Sequence, residues 1–302
     1  MSIPASASPD LAPASGFVLE GRSARVVERF LAHRVATVGL LVLALIAVTA
    51  VVLPLVMPFD PNKTNLDEIF LAPSPRHLLG TDSLGRDLGL RIAHGGRISL
   101  AVGILAVAIA ASLGTLVGAL AGIYGGLVDA ILMRFVDMML SFPRLFLLIL
   151  ASVLLRDSNI PSFLVIVVLL GALSWMSVAR IVRASVLSLK ERQFIEAARS
   201  IGATGFNLLW SHLLPNSLAP VIVAATLGVG TAIISESTLS FLGLGIQPPT
   251  ASWGNLLKDA QTDMLTAPWT AIFPGLAIFL TVVSVNFVGD ALRDALDPRH
   301  SR

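Results

Sequence analysis

Little in this sequence is equipped to break a covalent bond. The five histidines, His33, His77, His94, His212 and His300, stand far apart and never fall at i, i+4. No helix face therefore presents two imidazoles to a metal ion, and no metal site is expected. Cysteine is absent, which removes disulfides, thiolate metal sites and cysteine nucleophiles together. There is no HExxH pair and no GxxxxGK[ST] phosphate loop, and the apolar stretches contain no histidine to activate a buried serine. What remains is polarity in apolar surroundings. Glu236 sits among Ser235, Ser237, Thr238 and Ser240, Arg134 and Asp137 are spaced at i, i+3, and Asn286 and Asp290 lie near the end of the last apolar stretch. Charges in such places are expensive and need a reason.

The elements that hold these residues read as membrane helices. Of 302 residues, 55% are hydrophobic and 13% charged, and the mean hydropathy is +0.84. Soluble domains carry about 25% charged residues, so a soluble enzyme and a disordered chain are both excluded. A spanning helix needs about 20 apolar residues, and about six stretches qualify: Val35–Met57, Ile98–Ile123, Arg134–Leu155, Phe163–Ser177 running on through Ala179, Ser217–Leu242 and Thr270–Val288. They are too long for barrel strands. The glycines and prolines within them are tolerated in a membrane, where small residues let helices approach closely.

An even number of spans puts both ends on one side. Arg22, Arg25, Arg29 and Arg34 precede the first span, and Arg180, Arg183, Lys190, Arg192 and Arg199 lie between the fourth and fifth. Arg293, Arg299 and Arg302 follow the last. By the positive-inside rule these regions face the cytoplasm. Lys63, Arg76, Arg86, Arg91 and Arg97 disagree, and Leu84, Leu88 and Ile92, opposite Arg86, Asp87, Arg91 and His94, suggest an interfacial helix there. The expected organisation is a cytoplasmic tail over 1–34 with 1–20 disordered, an uncleaved anchor over 35–57, and an outer loop with an interfacial helix over 58–97. A membrane core over 98–290, with a cytoplasmic loop at 180–216, and a cytoplasmic tail over 291–302 complete it.

That cytoplasmic loop carries the most specific signal. Glu191–Ile201 reads as a helix closed by Gly202, and a second short helix runs from about Gly205 to Leu213, ending before Pro215. Ala197 and Ala198 offer a surface that another protein can approach closely, and Glu196 and Arg199 at i, i+3 can pair. The spacing Glu196-Ala197-Ala198, then Gly202, then His212, then Leu214-Pro215 closely resembles the EAA motif of ABC importer permeases. His212 and Asn216 resemble the peptide and nickel branch, as do LGTDSLGRD at Leu79–Asp87, SFPRL at Ser141–Leu145 and ESTLSFLGLGIQPPTASWG at Glu236–Gly254. The similarity spans about residues 28–298 and is greatest to the C-type permease of dipeptide and oligopeptide importers.

This resemblance implies an all-α, type I (MetI-like) importer domain of about six transmembrane helices with a cytoplasmic coupling helix, in a bacterial inner membrane. It implies a second, B-type permease, two ABC ATPase subunits or domains and an extracytoplasmic substrate-binding protein as partners, with no nucleic acid. ATP and magnesium would be held by the ATPases, and no cofactor by this chain. Glu196, Ala197, Ala198, Arg199, Gly202, Leu214 and Pro215 would couple to the ATPase, Leu214-Pro215 as either a hinge or a plain helix start. Ser235, Glu236, Thr238 and Asn286 could line the translocation path, with Glu236 meeting a peptide's amino group, or Glu236 could instead hold its helix to a neighbour. Gln247, Trp253 and Asn255 could dock the binding protein, or Trp253 could sit in an interfacial aromatic belt. Gly95, Gly96 and Gly80-Thr81-Asp82 read as turns or docking elements. Import of nickel chelates or other small solutes by the same machinery is the alternative. A secondary transporter would show inverted repeats and broken helices with ion-coordinating groups at mid-membrane, neither of which is clear in the sequence, and would leave the loop before the fifth span unexplained.

Overall fold

A computed structural model describes residues 28, 30, 33–56, 60–200 and 202–296. The tail 1–20, Arg22, Arg25, Arg29, Met57, Ile201, Arg299 and Arg302 lie outside the described residues. Among the described residues there are helices and no strand, with one isolated bridge between Thr81 and Asp87. The helices are α1 (Arg34–Val56), α2 (Leu88–Tyr124), α3 (Gly126–Leu140), α4 (Arg144–Leu154), α5 (Ser162–Ala172) and α6 (Trp175–Lys190). They continue with α7 (Gln193–Ser200), α8 (Gly205–Leu208), α9 (Leu214–Phe241), α10 (Trp253–Asp259) and α11 (Trp269–Leu296).

Five stretches are long and apolar enough to cross a membrane: α1, α2, Ser162–Lys190 with α5 and α6 in line, Leu209–Phe241, and α11. The third expected span is not a straight helix. α3 and α4 meet at an 82° bend, because Pro143 has no N–H to continue the ladder and disfavours helical geometry at Phe142. Among the described residues no ion pair joins Arg134 to Asp137, despite their i, i+3 spacing. The bend lays α3 against α6, so Asp129 is gripped by Arg183 and Asp137 by Arg180.

The expected interfacial helix before Ile98 is also absent. The chain turns through left-handed Gly80 and Gly85 (φ 81° and 66°), and Asp87 then caps α2 by accepting from the Leu90 N–H at 2.9 Å. From there α2 runs unbroken for 37 residues, so the boundary drawn at 97/98 falls inside it. Arg91, assigned to a polar face, is buried. Asp82 draws it in: Asp82 Oδ2 accepts from Arg91 Nη1 and Arg86 Nε, both at 2.7 Å, and Asp82 Oδ1 accepts from the N–H groups of Leu84 and Arg86 at 2.9 and 3.0 Å. Asp259 of α10 completes the cluster, 3.7 Å from both arginines.

Burial by itself would raise the pKa of Asp82, but the bonds from the Arg86 N–H, the Arg91 guanidinium and the Leu84 N–H outweigh it and hold the carboxyl below its usual range. A depressed folded-state pKa stabilises the fold above the unfolded value, and that contribution is lost as pH falls through the folded value. Asp82→Asn removes the closer of the two carboxylates beside buried Arg91, leaving Asp259 at 3.7 Å, and breaking a buried pair costs about 3 kcal/mol. We expect thermal unfolding in detergent to show a destabilised variant near neutral pH, with the gap to wild type closing as pH falls through the Asp82 titration.

The start of α1 and the end of α11 share a face, with His33 4.0 Å from Asp294. The ends of α2 and α6 also meet, where Lys190 Nζ donates to the carbonyls of Gly122 and Ile123 at 2.9 and 2.8 Å. We call this the knob face, because α7 and α8 project from it. The opposite cap face carries the Asp82 cluster and α10. One apolar core cluster lies beneath the knob, around Val182, Val186, Ile195, Leu208 and Leu213. Another lies toward the cap, around Val102, Leu148, Ile166, Leu170 and Leu239.

Candidate functional site

The knob is a short helix seated by one face. Ile195 and Ala198 of α7 are buried among Val182, Val186, Leu208, Leu209 and Leu213, while Glu196, Ala197 and Arg199 are exposed. Ala198, expected on the docking surface, therefore faces inward, since spacing at i, i+3 with Ile195 places both on the apolar side. Among the described residues no ion pair joins Glu196 to Arg199. Both project outward, as does Phe194 of the same helix, and Trp210 in the turn after α8 is exposed as well, the two aromatic residues by 45% and 56%.

Gly202 closes α7 in the left-handed region at φ 92°. Its N–H donates to the Arg199 carbonyl at 2.9 Å, and the Ala203 N–H reaches back to Ala198 O at 3.0 Å, so two helix-end carbonyls are satisfied at the corner.

The second helix does not end before Pro215. A π-helical turn over Leu209–Leu213, closed by the Leu214 N–H on Leu209 O, carries the chain from α8 into α9 without interruption. A π turn inserts one residue into the helical ladder, which accommodates a proline with no N–H and a ring that crowds the preceding turn. Asn216 Nδ2 donates to His212 O at 2.6 Å, and Ser217 Oγ donates to Leu213 O at 2.8 Å. Leu214 is half-buried and Pro215 exposed at this joint.

Glu236 is 0% exposed. Its Oε1 accepts from Ser240 Oγ at 2.7 Å, and its Oε2 accepts from Ser99 Oγ at 3.0 Å and more loosely from Ser237 Oγ at 3.4 Å. Ser99 Oγ accepts in turn from the Trp253 N–H at 3.2 Å, and Ser240 Oγ from the Ile246 N–H at 3.0 Å. One carboxylate thus ties α9 to α2, to α10 and to the loop between α9 and α10. Ser235 and Thr238 are half-buried, each bonding back to its own helix at 2.8 Å, and Asn286 is exposed on α11. Glu236 faces this helix junction, whereas Ser235 and Thr238, at i, i+3, share another face of α9, and Asn286 lies on α11.

Two of the three docking candidates are internal. Trp253 is 1% exposed, with Nε1 donating to Ile92 O at 3.0 Å, and this also rules out an interfacial belt position. Asn255 is buried at the third residue of α10, where it forms a capping box with Ser252. The WG pair packs inward because Gly95, Gly96 and Gly254 let α10 lie directly on α2 and α9. Gln247 is half-buried and donates to Gly243 O and Gly245 O.

Residues 114–302 match the family described as the binding-protein-dependent transport system inner membrane component, and residues 22–73 match the N-terminal transmembrane domain of oligopeptide transport permease C. The chain belongs to this family. The permease is therefore a type I ABC importer transmembrane domain of the oligopeptide-permease branch and a multi-pass membrane protein. It is 44% identical over 282 residues to a candidate peptide permease protein of Brucella suis biovar 1, covering 92% of each chain. It is also 44% identical over 272 residues to the glutathione transport system permease protein GsiD of Escherichia coli O6:K15:H31, covering 90% of the permease and 88% of that protein.

Sequence reasoning missed the Lys190 clamp, having counted that residue only as a topology charge. Its position in the last turn of α6, where a cation meets helix-end carbonyls, was the available signal. For Glu236 we expect a stability phenotype. In the Glu236→Leu permease the hydroxyls of Ser99 and Ser240 lose their acceptor, at about 1–3 kcal/mol for each stranded group. In the Glu236→Gln permease, thermal unfolding shifts by less and the order of substrate preference in uptake assays is unchanged. A reordered preference would place Glu236 on the path instead.

Proposed function

We propose that this permease imports peptides as the C-type half of an ATP-driven transporter. A second, B-type permease completes the path, two ATPase subunits or domains bind ATP and magnesium, and an extracytoplasmic binding protein delivers cargo. The names of the relatives, one for peptide and one for glutathione, support peptide cargo. In this reading the membrane is the bacterial inner membrane and the knob face is cytoplasmic, which agrees with the cations at Arg180, Arg183, Lys190, Arg192, Arg199 and Arg293.

The observation that carries the proposal is the seating of α7. Its inner face is locked onto the bundle, its outer face is open, and Lys190, three residues before it, is fastened to the end of α2. A push on Glu196, Ala197, Arg199 and the neighbouring Phe194 would reach the spans through packed contacts and a fixed hydrogen-bonded joint. Shifting a two-state bundle from 1:99 to 99:1 takes about 5.5 kcal/mol, and ATPase subunits docked on this face would supply it.

The test is reconstitution of the permease with its partner subunits and binding protein in proteoliposomes. Uptake of a labelled tripeptide should require ATP and a substrate-loaded binding protein. Uptake driven by a proton gradient without nucleotide, or by this chain alone, would overturn the reading.

A further inference from the structure

Two helices break at the same depth in the bundle, and an arginine joins the breaks. α3 turns into α4 at Ser141–Pro143, and α5 gives way to α6 at Leu173–Ser174. Arg144, the first residue of α4, donates from Nη2 to Ser174 Oγ at 2.8 Å, and the Ser174 hydroxyl donates to Leu170 O. α4 and α5 each have 11 residues, about 16 Å of helix. The guanidinium thus lies about 16 Å of helix from the far ends of α4 and α5, about half the roughly 30 Å of a hydrocarbon layer.

Nothing among the described residues neutralises this cation. The carboxylates of α3 are taken by Arg180 and Arg183, and Glu236 is occupied by Ser99 and Ser240. Nε of Arg144 is buried without a hydrogen-bond partner, although a guanidinium offers five donors in a rigid fork. An unpaired charge at this depth is costly enough to demand a partner in some state of the molecule. A neighbouring subunit on α4 is the less fitting source. The open face of α4 is apolar, with Phe146, Leu150 and Leu154 at successive turns, whereas Arg144 lies on the other face with the buried Leu148 and Ser152.

We propose that Arg144 receives the carboxylate of the cargo as it passes the two helix breaks. This rests on the peptide reading and deepens it: a peptide ends in a carboxylate whatever its side chains, so one arginine serves many sequences. The fork matches a carboxylate bidentately, and interrupted helices at mid-membrane are where transporters expose backbone to substrate. Ser174 holds the fork in place without cancelling its charge. A single contact of this kind is weak enough to release, as passage requires.

The experiment uses the reconstituted assembly with a tripeptide and its carboxamide, chosen so that the binding protein holds both with equal affinity. Wild type should take up the free acid about tenfold faster than the amide. Arg144→Gln should lower acid uptake about tenfold and amide uptake less than twofold, collapsing the ratio toward one, and Arg144→Lys should keep most of the preference. Co-elution with the partner subunits monitors assembly. If Arg144→Gln fails to assemble, Arg144→Lys decides through its acid-to-amide ratio, where a ratio near one overturns the assignment. Equal loss of both substrates in Arg144→Gln, or an unchanged ratio, shows a structural or subunit-pairing role and also overturns it. No uptake of either peptide by wild type sinks the peptide reading itself and the carboxylate station with it.

Discussion

Gly202→Trp is expected to reduce ATP-driven uptake about 100-fold, in a permease that still folds and still assembles. Two features make the effect large and local. At φ 92° a residue with a Cβ is strained, by about 1–2 kcal/mol for left-handed backbone. The corner relieves this by rotating α7 against α8, the one movement that misdirects Glu196, Ala197 and Arg199. A Cβ at this position meets nothing within 4 Å, so no clash inside the chain adds to the strain and the bundle beneath remains packed. The indole instead projects from the tip of the knob into the space a docked ATPase would occupy. A loss of 100-fold corresponds to about 2.7 kcal/mol, half of the bias that drives the cycle. Gly202→Ala carries the strain without the bulk and should lose about tenfold. Uptake and ATP hydrolysis measured together are the check: hydrolysis should persist while uptake fails, and normal uptake by Gly202→Trp would remove the knob from the coupling path.

The features legible in the sequence are those set by local chemistry. Long apolar runs announce helices because backbone in lipid must satisfy its own hydrogen bonds. Gly202 announces a corner because its conformation is a property of one residue. The misreadings have more than one cause. Trp253 looked like a surface residue of a Pro-rich loop, but its environment is made by Gly95, Gly96 and Ser99, about 155 positions away, while Asn255 is held by a capping box with Ser252 three residues before it. Arg91 looked amphipathic until Asp82 and Asp259 were brought to it by a turn and by a distant helix. The 82° bend required Pro143 to be weighed above an otherwise continuous apolar run. The positions of Trp253 and Arg91 depend on long-range pairing, which periodicity does not encode, whereas the bend at Pro143 and the capping box of Asn255 are local signals that were given too little weight. The short helix closed by Gly202 was legible because its signals are local, and even there the face taken by Ala198 depended on Leu208 and Leu213 packing back beneath α7.

Gly118→Ile should be the most damaging substitution for the fold, and the reason lies in the α2–α6 seam. Gly114, Gly118 and Gly122 recur every four residues along α2, so they form a single stripe, and α6 lies directly on it. A Cβ at Gly118 would sit 2.3 Å from the Ala179 carbonyl oxygen and 2.9 Å from Val182 Cβ. The first obstacle is backbone, which no rotamer change can move, and the helices must separate along the whole stripe. Overpacking a core typically costs about 1–3 kcal/mol, and parting this seam should reach the upper end or beyond. At Gly275 of α11 the nearest atom to an added Cβ is Leu257 Cδ2 at 3.9 Å, so Gly275→Ala is the matched control and should unfold like wild type. We expect purified Gly118→Ile to be recovered at less than a tenth of the wild-type yield, and any folded fraction to unfold at a clearly lower temperature in detergent. The seam also bears on mechanism. α2 runs about 55 Å from the Asp82 cluster to the Lys190 clamp, and its tight contact with α6 is what makes the knob and the cap parts of one body. A milder wedge, Gly122→Ala, whose Cβ meets Val186 side-chain atoms at 2.8 Å and backbone only at 3.4 Å, should therefore weaken uptake more than it weakens ATP hydrolysis, because a loosened seam absorbs the push before it reaches the cap. Equal loss of both activities would confine the seam to folding alone.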